Sequence, residues 1–189
     1  MDQKNVLKYL KLFSLGFIIT SLIEFIDVIL LSTVIRMNIY GYNLTLFEVF
    51  FNTGLLPIES SFLLIFLMIT PLIFIALGLV IFKRAKRDIF EMKILSKFIL
   101  VIGLFLLLGS FIKMVYTVFL GNSELDLNGS LKFEQALYNP LITPFIGAVM
   151  WIYLYSITAG YLISGLIFGG VGLKWILTIE KENSLKIKS

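Results

Sequence analysis

Long apolar blocks alternate with short polar ones along this chain, and the block lengths give the first reading. Residues 12–35 form an apolar run behind a short basic start carrying Lys4, Lys8 and Lys11. Residues 62–82 form a second, ended abruptly by KRAKR at 83–87. Residues 97–120 form a third, and 141–179 a fourth of 39 residues. A bilayer core about 30 Å thick is crossed by about 20 helical residues, so each of the first three blocks predicts one span. The fourth is too long for one span and lacks the polar turn that two would need. It predicts a span over 144–168 that continues into an inner-surface segment. Gly169, Gly170 and Gly172 would mark the join, with Lys174 and Trp175 at the headgroups. The first run follows a basic start as a signal peptide would. It exceeds the usual apolar core of a signal, however, and no small-x-small cleavage site follows it, so a retained helix is expected.

The expected fold is therefore all-α: an integral membrane four-helix bundle in a single domain, 1–189. Its spans are 12–35, 62–82, 97–120 and 144–168. Outer loops fall at 36–61 and 121–143, a cytoplasmic connector at 83–96 and a tail at 169–189. Within the first loop, LTLFEVFF (44–51) is apolar but too short to span. It reads either as a short helix in the membrane interface or as a core segment packed under the loop. Pro71 lacks an amide donor and frees the carbonyl of Leu67, which predicts a kink. Thr70 is placed to satisfy that group.

Composition supports the bilayer reading. The chain is 59% hydrophobic and 15% charged, against about 45–50% and about 25% in soluble domains. Charge orients it. With both ends inside, 13 of the 16 Lys and Arg residues lie on the inner side, and only Arg36 and Lys132 lie in the outer loops. Basic residues mark the cytoplasmic side, so both termini are expected there. Anionic lipid headgroups account for the basic character without any nucleic acid. Each outer loop holds one glycosylation pattern, at Asn43 and at Asn128, and about one chance match is expected for so short a pattern.

The chain contains no cysteine and no histidine. Disulfides, thiolate catalysis, a histidine proton relay and the commonest zinc and haem ligand sets are excluded. No serine triad can be built, and no metal or cofactor site is expected. GGVGLK (169–174) lacks the spacing of a phosphate-cradling loop and follows an apolar helix rather than a strand. An enzyme acting alone is not the expected function.

The candidate chemistry sits inside the membrane. Glu24 and Asp27, three positions apart, share one face of the first span. Intramembrane acids are costly and mark function or structure. Counted from Leu12, Glu24 lies about 18 Å deep and Asp27 about 22 Å. Counted from Lys97, Lys113 in the third span lies about 24 Å deep. Asp27 is thus expected to pair with Lys113, leaving Glu24 without a cationic partner. The acids read as an interhelical clamp or assembly face, or else as a proton or cation pathway. Gly165 and Gly169 have the small-xxx-small spacing of closely packed helices, as do Ser156 and Gly160. These predict packing within the chain, or a face for a second copy. The expected partners are the bilayer, further copies of the chain, or other membrane subunits.

Four spans, cytoplasmic ends and two outer loops resemble tetraspan families such as the claudins in topology alone. The paired cysteines of such loops are absent, and no residue roles carry over. Small membrane-anchor subunits of respiratory complexes are similar in size and hydrophobicity, but this chain has no histidine to ligate haem directly.

Overall fold

The structure is a computed structural model, and it describes residues 3–39, 41–51, 58–86, 92–125 and 131–188. It is predominantly helical. In chain order the elements are α1 (Gln3–Thr33), β1 (Arg36–Ile39), β2 (Tyr42–Thr45), α2 (Leu46–Phe51), α3 (Ile58–Ala85), α4 (Met92–Gly121), α5 (Phe133–Tyr138) and α6 (Phe145–Lys188). Four of these, α1, α3, α4 and α6, are long and apolar enough to cross a membrane. In hydrocarbon a helix satisfies its own backbone donors and acceptors, which is why the apolar blocks take this form.

Three features differ from the expectation. First, α6 is one continuous helix of 44 residues, without a break at Gly169, Gly170 or Gly172. At about 1.5 Å per residue it is about 66 Å long, twice the hydrocarbon thickness. Glycine weakens a helix by only about 1 kcal/mol per residue, which packing on a neighbour offsets. Second, the segment between α1 and α3 is not all-α. β1 and β2 form an antiparallel hairpin in which Arg36 pairs with Thr45 and Ile39 with Tyr42. Gly41 takes the positive φ of 83° that its turn needs and that other residues rarely adopt. Third, within α3 the Thr70 hydroxyl beside Pro71 donates to the Phe66 carbonyl at 2.8 Å rather than to that of Leu67.

Each long helix buries a stripe with a seven-residue repeat. In α1 the buried positions include Leu7, Leu10, Ser14, Phe17, Ser21, Glu24, Val28 and Leu31. In α4, Ser96, Gly103, Ser110 and Thr117 recur at intervals of seven, all buried. Spacings of three and four in alternation are those of left-handed coiled packing. The outward faces carry large apolar residues such as Ile19, Leu72, Phe119 and Ile163. A membrane bundle has no hydrophobic drive to bury such residues, so the small and polar ones go inside.

α1 packs along α3, and α4 along α6; α3 with α4 and α1 with α6 complete the ring more thinly. α1 and α4 therefore stand on a diagonal. At the α4–α6 contact a Cβ on Gly103 would strike the backbone of Gly169, and one on Gly165 would lie 2.7 Å from the Leu107 amide nitrogen. Gly172 is seated as tightly, its added Cβ meeting the Leu100 Cα at 2.7 Å. A Cβ added to Gly160, by contrast, would meet nothing within 4 Å, so no close helix approach requires a glycine there within the chain.

Two apolar clusters fill the bundle. The loop-side cluster joins Val28, Leu31, Leu67, Leu120, Trp151 and Leu154 to Met37, Leu46, Phe50 and Phe133 from the loops. LTLFEVFF packs against the core through buried Leu46, Val49 and Phe50, while Phe47 and Phe51 stay exposed. The Asn38 amide donates to the Ile142 carbonyl at 2.7 Å and ties the two loops into one cap. The opposite cluster comprises Leu10, Phe17, Phe74, Ile81, Leu95, Ile102, Leu106 and Tyr161, among others.

Candidate functional site: a charged layer across the bundle

Between the two clusters lies a polar layer, and its centre is an ion pair. The Lys113 ammonium donates to Glu24 Oε1, and both side chains are 0% exposed. The pairing expected from depth alone is corrected: Lys113 binds Glu24, not Asp27. Helical face explains the difference. Glu24 occupies a buried position of the α1 repeat, whereas Asp27 falls one residue short of Val28 and is half-buried. The lysine stem spans the depth difference of about 6 Å that the helical rise gives. Because α1 and α4 are diagonal partners, the pair crosses the middle of the bundle.

Aromatic and hydroxyl groups surround it. The Tyr161 ring centroid lies 5.5 Å from the Lys113 nitrogen, within reach of a cation–π attraction. The Tyr161 hydroxyl and the Ser21 hydroxyl are 3.0 Å apart, and Phe17 and Phe74 meet the same ring edge-on at 5.1 and 4.7 Å. Tyr116 bonds Thr70 across α3 and α4. The single hydroxyl proton of Thr70 goes to Phe66, so Tyr116 is the donor. Ser110, Thr117 and Thr158 each donate to a carbonyl four residues earlier, at 2.6 to 2.8 Å. These hydroxyls are satisfied within their own helices and line the layer without needing water.

Two acid atoms remain over. Glu24 Oε2 and Asp27 Oδ2 are buried without a hydrogen-bond partner among the described residues, as is Trp151 Nε1 in the loop-side cluster. The layer thus sets two carboxylates against one amine. It brings together all three polar candidates read from the sequence, with Glu24 and Lys113 in contact and Asp27 beside them. It also contains Ser21, Tyr116 and Tyr161. None of these three was read from the sequence as a site residue, although Ser21 and Tyr161 fall on the seven-residue repeats. Among the described residues no group of three acid, histidine or cysteine side chains gathers to hold a metal ion.

The remaining candidates lie elsewhere. Asn43 sits exposed on β2, and Arg36 donates to its carbonyl at 3.3 Å. Asn128 lies outside the described residues. Outside the four candidate spans, the Glu48 carboxylate accepts the Thr45 amide at 2.7 Å and the Thr45 hydroxyl at 2.9 Å. These bonds hold its pKa below the ordinary value. They also fix the first turn of α2 against the hairpin. Comparison of the chain with protein-family models, with curated proteins and with solved structures found no match.

Proposed function

We propose that this chain is a multi-pass protein of the cell membrane with both termini cytoplasmic. It acts as a structural or accessory subunit, assembling through its helix faces with itself or with a larger membrane complex. The observation that carries this reading is the Glu24–Lys113 pair. Its charges face each other, fully buried, between two apolar clusters, which suits a clamp on the helix arrangement. A buried charge pair at a defined register serves specificity of packing, its best attested use. The orientation rests on the inward bias of Lys and Arg. In mild detergent the chain should purify as an oligomer or with further membrane subunits; a single-chain particle without partners would overturn the proposal.

A second reading, a small transporter or channel with an intramembrane carboxylate as its ion or proton site, is favoured by one observation. Glu24 Oε2 and Asp27 Oδ2 are buried without a hydrogen-bond partner among the described residues, and two acids against one amine leave room for a proton or small cation. Proton or cation flux in liposomes that falls with Glu24→Gln or Asp27→Asn would establish this reading, and flux indifferent to both would remove it.

A further inference from the structure

Away from their ends, the four long helices carry few groups that can hold charge. α1 has Glu24 and Asp27, α4 has Lys113 and Tyr116, and α6 has Tyr153, Tyr155 and Tyr161, whereas α3 has none. An ordinary tyrosine is uncharged at neutral pH, so the layer sets two acids against one amine. The amine is already engaged, since Lys113 donates to Glu24 Oε1 with both side chains fully buried. Glu24 Oε2 and Asp27 Oδ2 are left buried without a hydrogen-bond partner among the described residues. Three positions apart on α1, the two acids are neighbours on adjacent turns, and Asp27 is within electrostatic reach of both Glu24 and Lys113. Tyr153 on α6 feels the charge of both carboxylates.

The hydroxyl protons of the layer are committed elsewhere. Thr20, Ser110, Thr117 and Thr158 each donate to a carbonyl of their own helix. Tyr116 donates to Thr70, whose proton goes to Phe66. Ser21 and Tyr161 share one bond, which leaves one hydroxyl proton over, and Tyr161 adjoins Glu24. That proton can serve Glu24 at most. No donor among the described residues reaches Asp27 Oδ2.

An ionised Asp27 would place a second negative charge, with no cation of its own, beside the first in a low-dielectric layer. Two carboxylates at one such site do not both ionise, and one keeps a proton. Glu24 has the ammonium, so the proton falls to Asp27. As the neutral acid, Asp27 becomes a donor, and Glu24 Oε2 on the preceding turn is an acceptor without one. We propose that Asp27 is a proton-binding site: it holds one exchangeable proton, donated in a hydrogen bond to Glu24 Oε2, so that the layer carries no net charge. The proposal rests on the ion-site reading above and names its occupant. A proton is favoured over a metal cation because no group of three acid side chains gathers there among the described residues.

The test is infrared spectroscopy of the full chain in phosphatidylcholine vesicles at neutral pH, with aspartate carbon-13-labelled at its side-chain carboxyl. Asp2, Asp88 and Asp126 lie outside the apolar blocks, and an ordinary aspartate is ionised at that pH. The wild type should show one carboxylic acid C=O band that shifts with the label and on transfer to heavy water. Glu24→Gln leaves Asp27 as the one counter-ion for Lys113, and the band should vanish. Lys113→Met removes the amine, and the band should persist. Absence of a label-sensitive acid band in the wild type, as for an ionised Asp27 met by water or a metal cation, would overturn the proposal. So would survival of the band in folded Glu24→Gln or Asp27→Asn, or its loss in folded Lys113→Met. Proton flux across the same vesicles separates the two readings. The band without flux upholds the bound proton and removes transport, whereas flux without the band overturns the bound proton alone.

Discussion

Replacing Glu24 by glutamine keeps the shape of the side chain and removes its charge. Lys113, 0% exposed, then loses its only ion pair among the described residues. Removing one member of a buried pair costs about 3–5 kcal/mol, because the other charge is left in a low-dielectric interior. The orphaned ammonium has one escape, which is to shed its proton. For an ordinary lysine at pH 7 that costs about 4.6 kcal/mol, which caps the penalty. Asp27, on the next turn of α1, offsets part of it. A loss of about 3 kcal/mol is therefore expected for Glu24→Gln, roughly 150-fold in the unfolding equilibrium. The assay is reversible unfolding in bicelles followed by helical circular dichroism, run on Glu24→Gln, Lys113→Met and the double variant. The cycle should give a coupling energy on the order of 3 kcal/mol. A Glu24→Gln variant within about 0.5 kcal/mol of wild type, alongside a large loss for Asp27→Asn, would refute the pairing and restore Asp27 as the partner.

The α4–α6 glycines should be intolerant of side chains. Gly172→Leu or Gly165→Leu should cost about 1–3 kcal/mol or more by overpacking against the Leu100 or Leu107 backbone, read in the same unfolding assay. Glu48 has its pKa lowered by the bonds from Thr45. Its contribution is therefore present above the ordinary value near 4.5 and is lost as pH falls through the lower folded value. Protection of the Thr45 amide from hydrogen exchange should drop on acidification, and Glu48→Gln should make it insensitive to pH in that range. Orientation is open to a clean test, since the chain has no cysteine. A thiol introduced by Asn43→Cys should react with an impermeant reagent added outside intact cells, whereas one introduced by Lys97→Cys should react only after permeabilisation; the reverse would invert the topology.

Block length and hydropathy were enough to place four helices, because a bilayer leaves a chain few alternatives. They were not enough to place the faces. With apolar residues all round each helix, the buried side is marked by what is small or polar, and the repeat of Ser96, Gly103, Ser110 and Thr117 carried that signal unread. The same repeat separates Glu24 from Asp27, which depth alone ranked the wrong way round. The join expected at Gly169 to Gly172 rested on propensity, whereas Gly169 and Gly172 lie at the approach of α6 to α4 and Gly170 faces open space. The hairpin was hidden in a loop whose apolar residues were too few to read as strands without their partner segment, 131–143, packed against them.

The most direct test of the clamp replaces both charges with apolar residues of similar size, Glu24→Leu with Lys113→Met. It follows assembly in mild detergent and flux in liposomes on the same preparations. If the pair is architecture, well-packed substitutes are neutral or stabilising by about 1–4 kcal/mol. The variant then keeps the wild-type oligomer or complex, and any flux is unchanged. A variant that folds and assembles as the wild type does but loses a flux that the wild type supports would show instead that the charges serve transport.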